Sequence, residues 1–340
     1  MKAGVLVAPG RMEIREVAEP APGPEEALLQ VGCIGLCGSD LNAYRGTSPM
    51  VTYPRIIGHE VGATIVAVGA AVPPEFRPGL RVTLSPYSHC GACPACRLGR
   101  TNTCQFNQTL GVQRDGALRE RFAIDYRRLY PSRTLSPQEL ALVEPLCVGA
   151  HGVNVGQVSG ADTVLVLGCG AVGLGAIAAA ARRGARVIAG DIDEAKLALA
   201  AKLGAHTTVN TTAEAADRIA GLTEGEGPSV VVEAVGLPQT YRLALDAVAT
   251  AGRVICIGYA SDPVEVDTKL IVRKELAVLG SRNARDEFQS VVAMLEARER
   301  PFTEMISRLV PLEQAPQALA EWSAAPGRVT RILVRVGEAE

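Results

Sequence analysis

The sequence lacks an excess of charge of either sign. Its 34 basic and 36 acidic residues leave a formal net charge of −2, so neither a nucleic-acid surface nor an anionic membrane surface is expected. Long apolar runs are missing as well. The longest, residues 164–181, is interrupted by Gly168, Gly170, Gly173 and Gly175 and does not read as a membrane span. The opening MKAGVLVAPGRMEIRE has one early Lys and a short strand-like run, without the long apolar core and small-residue cleavage site of a signal peptide. A cytoplasmic chain is the expectation. Internal repeats and low-complexity tracts are also wanting. Lysine is scarce, with five residues, and the bias towards Arg carries no functional reading. Hydrophobic residues at 48% and charged residues at 21% exclude wholesale disorder, and 340 residues suggest about two domains.

Cysteine, by contrast, is plentiful: nine residues, four of them in one loop. A reducing compartment makes such a cluster metal ligands before disulfides. Cys90, Cys93, Cys96 and Cys104 are spaced two, two and seven residues apart. The short spacings let a turn aim successive thiolates at one ion, and the fourth closes a tetrahedron. That is the pattern of a structural zinc site, although spacing alone also allows an iron–sulfur cluster. Cys33, Cys147, Cys169 and Cys256 read as small buried residues.

The chain changes grammar near residue 160. Before it, short runs such as Ala27–Val31, Gly62–Val68 and Arg81–Leu84 alternate with Gly and Pro clusters, which predicts a β-rich domain. After it, apolar strands at Thr163–Leu167, Arg186–Ala189, Ser229–Ala234, Arg253–Ile257 and Leu276–Leu279 alternate with helical stretches, which predicts a doubly wound parallel sheet. The tail returns to helices at Asp286–Ala297 and Leu312–Ala324 and a late strand, Arg331–Val336. Gly168, Gly170 and Gly173 form G-x-G-x-x-G between the first of these strands and its helix, with Ala171 and Val172 inside the turn. This arrangement brings backbone and a helix N-terminus to a pyrophosphate. Asp191, eighteen residues beyond Gly173, ends the next strand, where an acid binds ribose hydroxyls and repels a 2′-phosphate; NAD is favoured over NADP. The alternative is a tight turn without a ligand.

Cys37, His59 and Glu60, and Glu144 together could supply a thiolate, an imidazole and a carboxylate. Those charges neutralise Zn²⁺ and leave an open position for an alcohol oxygen. Taken singly, Cys37 also fits a small buried residue, His59 a hydrogen-bonded core group and Glu144 an acid near a helix start. Spacing does not join them.

Gly35–Asp40, Gly58–Glu60 with Gly62, the cysteine loop, Glu144–Leu146 and the Gly168–Gly173 turn with Asp191 jointly resemble the zinc-containing medium-chain dehydrogenases, which include alcohol and sorbitol dehydrogenases. The resemblance covers essentially the whole chain. It implies an α/β protein: a GroES-like catalytic domain (1–151) completed by a C-terminal segment (284–340), an inserted Rossmann domain (152–283), and an active site in the cleft. It further implies two zinc ions per chain. Cys90, Cys93, Cys96 and Cys104 would hold the structural ion. Cys37, His59 and the exchangeable carboxylates Glu60 and Glu144 would hold the catalytic one. A glutamate at 144 is similar to the polyol branch, where alcohol dehydrogenases proper have cysteine. Ser39 would pass the substrate proton onward, Asp40 would hold His59, and Arg331 would contact the cofactor pyrophosphate. Gly280–Ala284 (GSRNA) resembles a string in bacterial sugar-acid dehydrogenases, L-galactonate 5-dehydrogenase among them. On that basis Arg282 would face the substrate, with Tyr44 as a second wall residue. The implied reaction is NAD-dependent oxidation of a secondary alcohol in a polyol or sugar acid, by a homo-oligomer, often a tetramer. L-threonine, a simple alcohol, and a non-catalytic redox or starvation sensor are the alternatives.

Overall fold

The structure, a computed structural model, describes residues 1–212 and 214–337. The chain forms two compact units, Met1–Glu144 with Phe288–Glu340, and Pro145–Glu287.

The first unit is built on a seven-stranded sheet. Its order is Arg308–Pro311, Ile332–Arg335, Glu26–Leu36, Glu60–Val68, Arg81–Leu84 and Leu129–Ser132, with Arg121–Asp125 paired to Glu26–Leu36. The long central strand explains how the core is laid down. Ala27, Leu29 and Val31 enter the core at period two, and then Ile34 and Leu36 do so in the opposite phase. The switch falls where the register with the neighbouring strand slips, between Val31 and Cys33. One extra residue at a bulge exchanges the two faces of a strand. The tail strand Ile332–Arg335 pairs antiparallel with the same strand, Leu333 opposite Gly35, so the C-terminal segment belongs to this sheet. A smaller sheet joins Arg11–Glu16, Lys2–Ala8 and Arg55–Ile56.

The second unit holds six parallel strands in the order Thr207–Asn210, Arg186–Asp191, Thr163–Leu167, Val230–Glu233, Arg253–Cys256, Ala277–Gly280. This is the doubly wound order, with its switch point beside the first strand of the unit. Val164 to Leu167 and Val230 to Val232 are fully or almost fully buried, as expected for strands covered on both faces. Thr207–Asn210 is absent from the expectations above; Thr-Thr-Val-Asn at a sheet edge carries no apolar run.

The unit boundaries differ from the expected 151/152 and 283/284. They fall at Glu144/Pro145 and Glu287/Phe288, so all but the first two residues of the helix Val143–Val155 belong to the second unit. Gly149 lies against the backbone of Val172 and Gly175, and His151 Nδ1 meets Glu287 Oε1 at 2.8 Å. No helix among the described residues is long and apolar enough to cross a membrane.

Candidate active site and metal centres

Among the described residues, two groups of metal-ligating side chains converge in the first unit. The sulfurs of Cys90, Cys93, Cys96 and Cys104 lie within 4.8 Å of one another. Cys93 Sγ and Cys104 Sγ are 3.8 Å apart. A tetrahedron with Zn–S bonds of about 2.3 Å has sulfur–sulfur edges of about 3.8 Å, so the spacing fits the ion. Backbone N–H groups complete the cradle: those of Cys93 and Ala92 point at Cys90 Sγ at 3.3 and 3.5 Å, and those of Cys90 and Phe106 at Cys104 Sγ at 3.4 Å. Backbone donors from Cys96 and Gln105 hold the Cys93 thiol down, to about 6. Desolvation pushes Cys96 up, to about 11. A divalent cation held by these four sulfurs would favour the thiolate at each.

The second group is Cys37, His59 and Glu60, again within 4.8 Å. Cys37 caps the helix Gly38–Arg45, whereas His59 and Glu60 lie at the start of the strand Glu60–Val68. His59 and Glu60 are 4% and 0% exposed. Burial disfavours the His59 imidazolium, but Cys37 and Asp40 outweigh it and raise the His59 pKa. Burial also holds the Glu60 carboxyl up, against the pull of Arg331. Gly35 stands opposite Glu60 in the sheet, and a Cβ on it would come within 2.0 Å of Glu60 Oε2. Glycine at 35 is therefore what leaves room for the carboxylate. Glu144 is buried beside this group but outside it, and its carboxylate accepts a hydrogen bond from the Tyr87 hydroxyl. Ser39 Oγ is buried with no hydrogen-bond partner among the described residues. A thiolate, an imidazole and a carboxylate in one buried space, with an unpaired hydroxyl nearby, suit a zinc ion that keeps a position for an oxygen ligand.

In the second unit Gly168 has φ +95°, and a Cβ on Gly173 would sit 1.8 Å from Gly168 O. Only glycine allows that turn and that approach of helix to strand. The helix Ala171–Arg182 starts behind Gly170 without a side-chain cap, and a Cβ on Gly170 would meet nothing within 4 Å. Its first N–H groups, including those of Ala171 and Val172, are thus free of side-chain acceptors, as a pyrophosphate requires. Asp191 ends its strand as expected. Its Oδ2 accepts from Cys169 N at 2.7 Å and its Oδ1 from Asp193 N at 3.0 Å, which fixes the carboxylate while leaving lone pairs for hydroxyl donors.

Comparison with known proteins agrees with this geometry. Residues 23–134 match the alcohol dehydrogenase GroES-like domain, and residues 171–297 match the zinc-binding dehydrogenase domain. A zinc-type alcohol dehydrogenase-like protein of Haemophilus influenzae is 34% identical, over 98% of both chains. The chain belongs to the zinc-type medium-chain alcohol dehydrogenase family. It is an oxidoreductase acting on CH–OH donors. L-galactonate-5-dehydrogenase of Escherichia coli is 31% identical over 84% of both chains. A zinc-binding dehydrogenase of Sinorhizobium meliloti, solved bound to NADP, superposes with a TM-score of 0.92 at 32% identity, covering 98% of this chain and 99% of its own.

The chain departs from several of the expectations above. Arg331 faces the metal group rather than a pyrophosphate. It is 6% exposed, and its Nη1 donates to both Glu60 oxygens at 2.7 and 2.8 Å and to Leu36 O at 2.8 Å. The tail strand pairs with Glu26–Leu36, and that pairing sets the preceding residue over Leu36 beside Glu60. Asp40 does not bond His59: Oδ1 and Nδ1 are 4.0 Å apart, and Oδ2 accepts from Cys37 N at 2.8 Å instead. Tyr44, expected as a wall of the substrate site, is half-buried and packs on the core of the first unit. Cys256, expected to be buried, is only partly so. Arg282 follows the strand Ala277–Gly280 at the carboxyl end of its sheet and is half-buried. Tyr87 was not foreseen. It lies just ahead of the cysteine loop, and no sequence pattern marks it, since only its contact with Glu144 gives it a role.

Proposed function

We propose that this dehydrogenase oxidises a secondary alcohol of a polyol or sugar acid, such as L-galactonate, with NAD as acceptor and two zinc ions per chain. The convergence of Cys37, His59 and Glu60 within 4.8 Å carries the reading. When bound, zinc lowers the pKa of an alcohol and NAD accepts the hydride. The protein's own groups do the rest. Ser39 offers an unpaired hydroxyl that takes the alcohol proton onward. Tyr87 orients Glu144, Arg331 orients Glu60, and Gly35 keeps space for that carboxylate. Arg282 offers paired N–H donors to a carboxylate or two hydroxyls. Asp191 repels a 2′-phosphate, and Asp193 and Glu194 follow it, which supports NAD even though the Sinorhizobium relative was solved with NADP.

Two further features support the setting. None of the nine cysteines forms a disulfide, which suits the reducing cytoplasm. The edge strand Ala277–Gly280 leaves Val278 45% exposed, with Val272 80% exposed on the preceding helix, and such an edge suits pairing with a second copy in a homo-oligomer. The deciding experiment is a panel of polyols, aldonates, L-threonine and ethanol, each with NAD and with NADP, read by absorbance of the reduced nucleotide. Turnover confined to threonine or ethanol, or faster with NADP, would overturn the reading.

A further inference from the structure

Consecutive residues of the first unit tie two arginines together. Ser85 N donates to Arg128 O at 2.9 Å, and Leu110 N donates to Pro86 O at 3.1 Å. Leu110 in turn bridges to Arg114, whose carbonyl accepts from Gly111 N at 2.8 Å. Nε and Nη2 of Arg114 and Nη1 of Arg128 are buried with no hydrogen-bond partner among the described residues. The acids nearby are already engaged. Asp115 Oδ1 accepts from Arg55 Nη1 at 3.0 Å and from Ile56 N at 3.1 Å. Asp125 accepts from Arg127 Nε at 2.9 and 3.0 Å and from Arg127 N at 2.9 Å. Burial, with the charge of Arg128 added, pulls Arg114 down to about 10. Arg128 is lowered too, chiefly by burial.

Two neighbouring guanidinium groups with unmet buried N–H donors are a costly arrangement for a protein to keep empty. A group with several acceptor oxygens and negative charge removes both penalties at once. We propose that Arg114 and Arg128 form an oxyanion-binding site that takes a phosphate or a carboxylate group.

The place of the site in the fold bears on the source of the anion. A Cβ on Gly111 would lie 2.6 Å from Gly58 N, so the turn carrying Arg114 packs on the residue before His59. Ser85 and Pro86 immediately precede Tyr87, the partner of Glu144. The site therefore borders the metal group. Its anion is either free phosphate or the acidic end of the substrate, and only the second of these rests on the function proposed above.

The test uses full-length, zinc-loaded protein in phosphate-free, low-salt buffer, with Arg114→Met and Arg128→Met as variants. Thermal melting is followed against inorganic phosphate. Initial rates are followed for an aldonate and its neutral polyol counterpart. Phosphate is expected to raise the Tm of the parent protein and to bind the variants at least about tenfold more weakly. Without phosphate, Arg114→Met is expected to melt no lower than the parent, because it removes a buried unpaired charge; a purely structural arginine would give a lower Tm. A rise of about tenfold or more in KM for the aldonate alone assigns the anion to the substrate. Loss of phosphate stabilisation with unchanged kinetics assigns it to free phosphate. A parent Tm insensitive to phosphate together with aldonate KM values unchanged in both variants overturns the site, and the melting arm decides even if no substrate in the panel is turned over.

Discussion

Glu287 offers a quantitative test of how the nucleotide-binding unit holds its last loop. The carboxylate is 3% exposed and is met by His151 Nδ1 at 2.8 Å, Asn154 Nδ2 at 2.6 Å and Arg285 N at 2.7 Å. Burial alone would raise its pKa, but the His151, Arg285 and Asn154 bonds outweigh that and bring it to about 2. Against an ordinary value near 4.5, at about 1.4 kcal/mol per unit, the site prefers the ionised form by on the order of 3 kcal/mol. Glu287→Gln keeps the shape and places an N–H₂ against one of the donors. It is expected to cost about that amount, or about 6–12 °C in the Tm of the transition that includes this unit. The sign with pH follows from the depressed pKa. The contribution is complete above about pH 4.5 and is lost as pH falls through about 2, so the gap between parent and variant narrows with acidification. Urea denaturation at pH 7 and pH 3.5 measures it. Equal midpoints at pH 7, or a gap that widens in acid, would refute the reasoning.

Two further outcomes are expected. Cys93→Ser removes one of four sulfurs that converge within 4.8 Å, so it should halve the zinc content and expose the 90–104 loop to hydrogen exchange, while nucleotide binding persists; unchanged zinc content would count against the four-thiolate site. Asp191→Asn keeps the side chain's shape but removes its charge, and should lower the NAD-to-NADP ratio of kcat/KM by about tenfold, as expected for one charge pair near a surface. An unchanged ratio would mean that discrimination lies elsewhere.

Much of this molecule is legible from its sequence because the decisive features are local. The strand Thr163–Leu167, the glycine turn and the acid at 191 follow one another within about thirty residues, and backbone stereochemistry fixes what each does. The cysteine loop is local for the same reason. The second metal group is different. Cys37 and His59 are brought together by two strands that pair across a bulge, and nothing in their spacing reports it; the resemblance to a family supplied that link. Contacts made by the tail are the least legible. Arg331 reads as a surface or cofactor residue until the pairing of Leu333 with Gly35 turns it onto Glu60. Tyr87 and the His151–Glu287 pair stay silent in the sequence, because a single tyrosine, histidine or glutamate acquires meaning only from its partner.

The most direct test of the central claim is zinc content and turnover measured together on Cys37→Ser. The account predicts two zinc ions per chain in the parent protein and one in the variant, with substrate-dependent NAD reduction lost and NAD binding kept. Two ions and undiminished turnover in Cys37→Ser would contradict it.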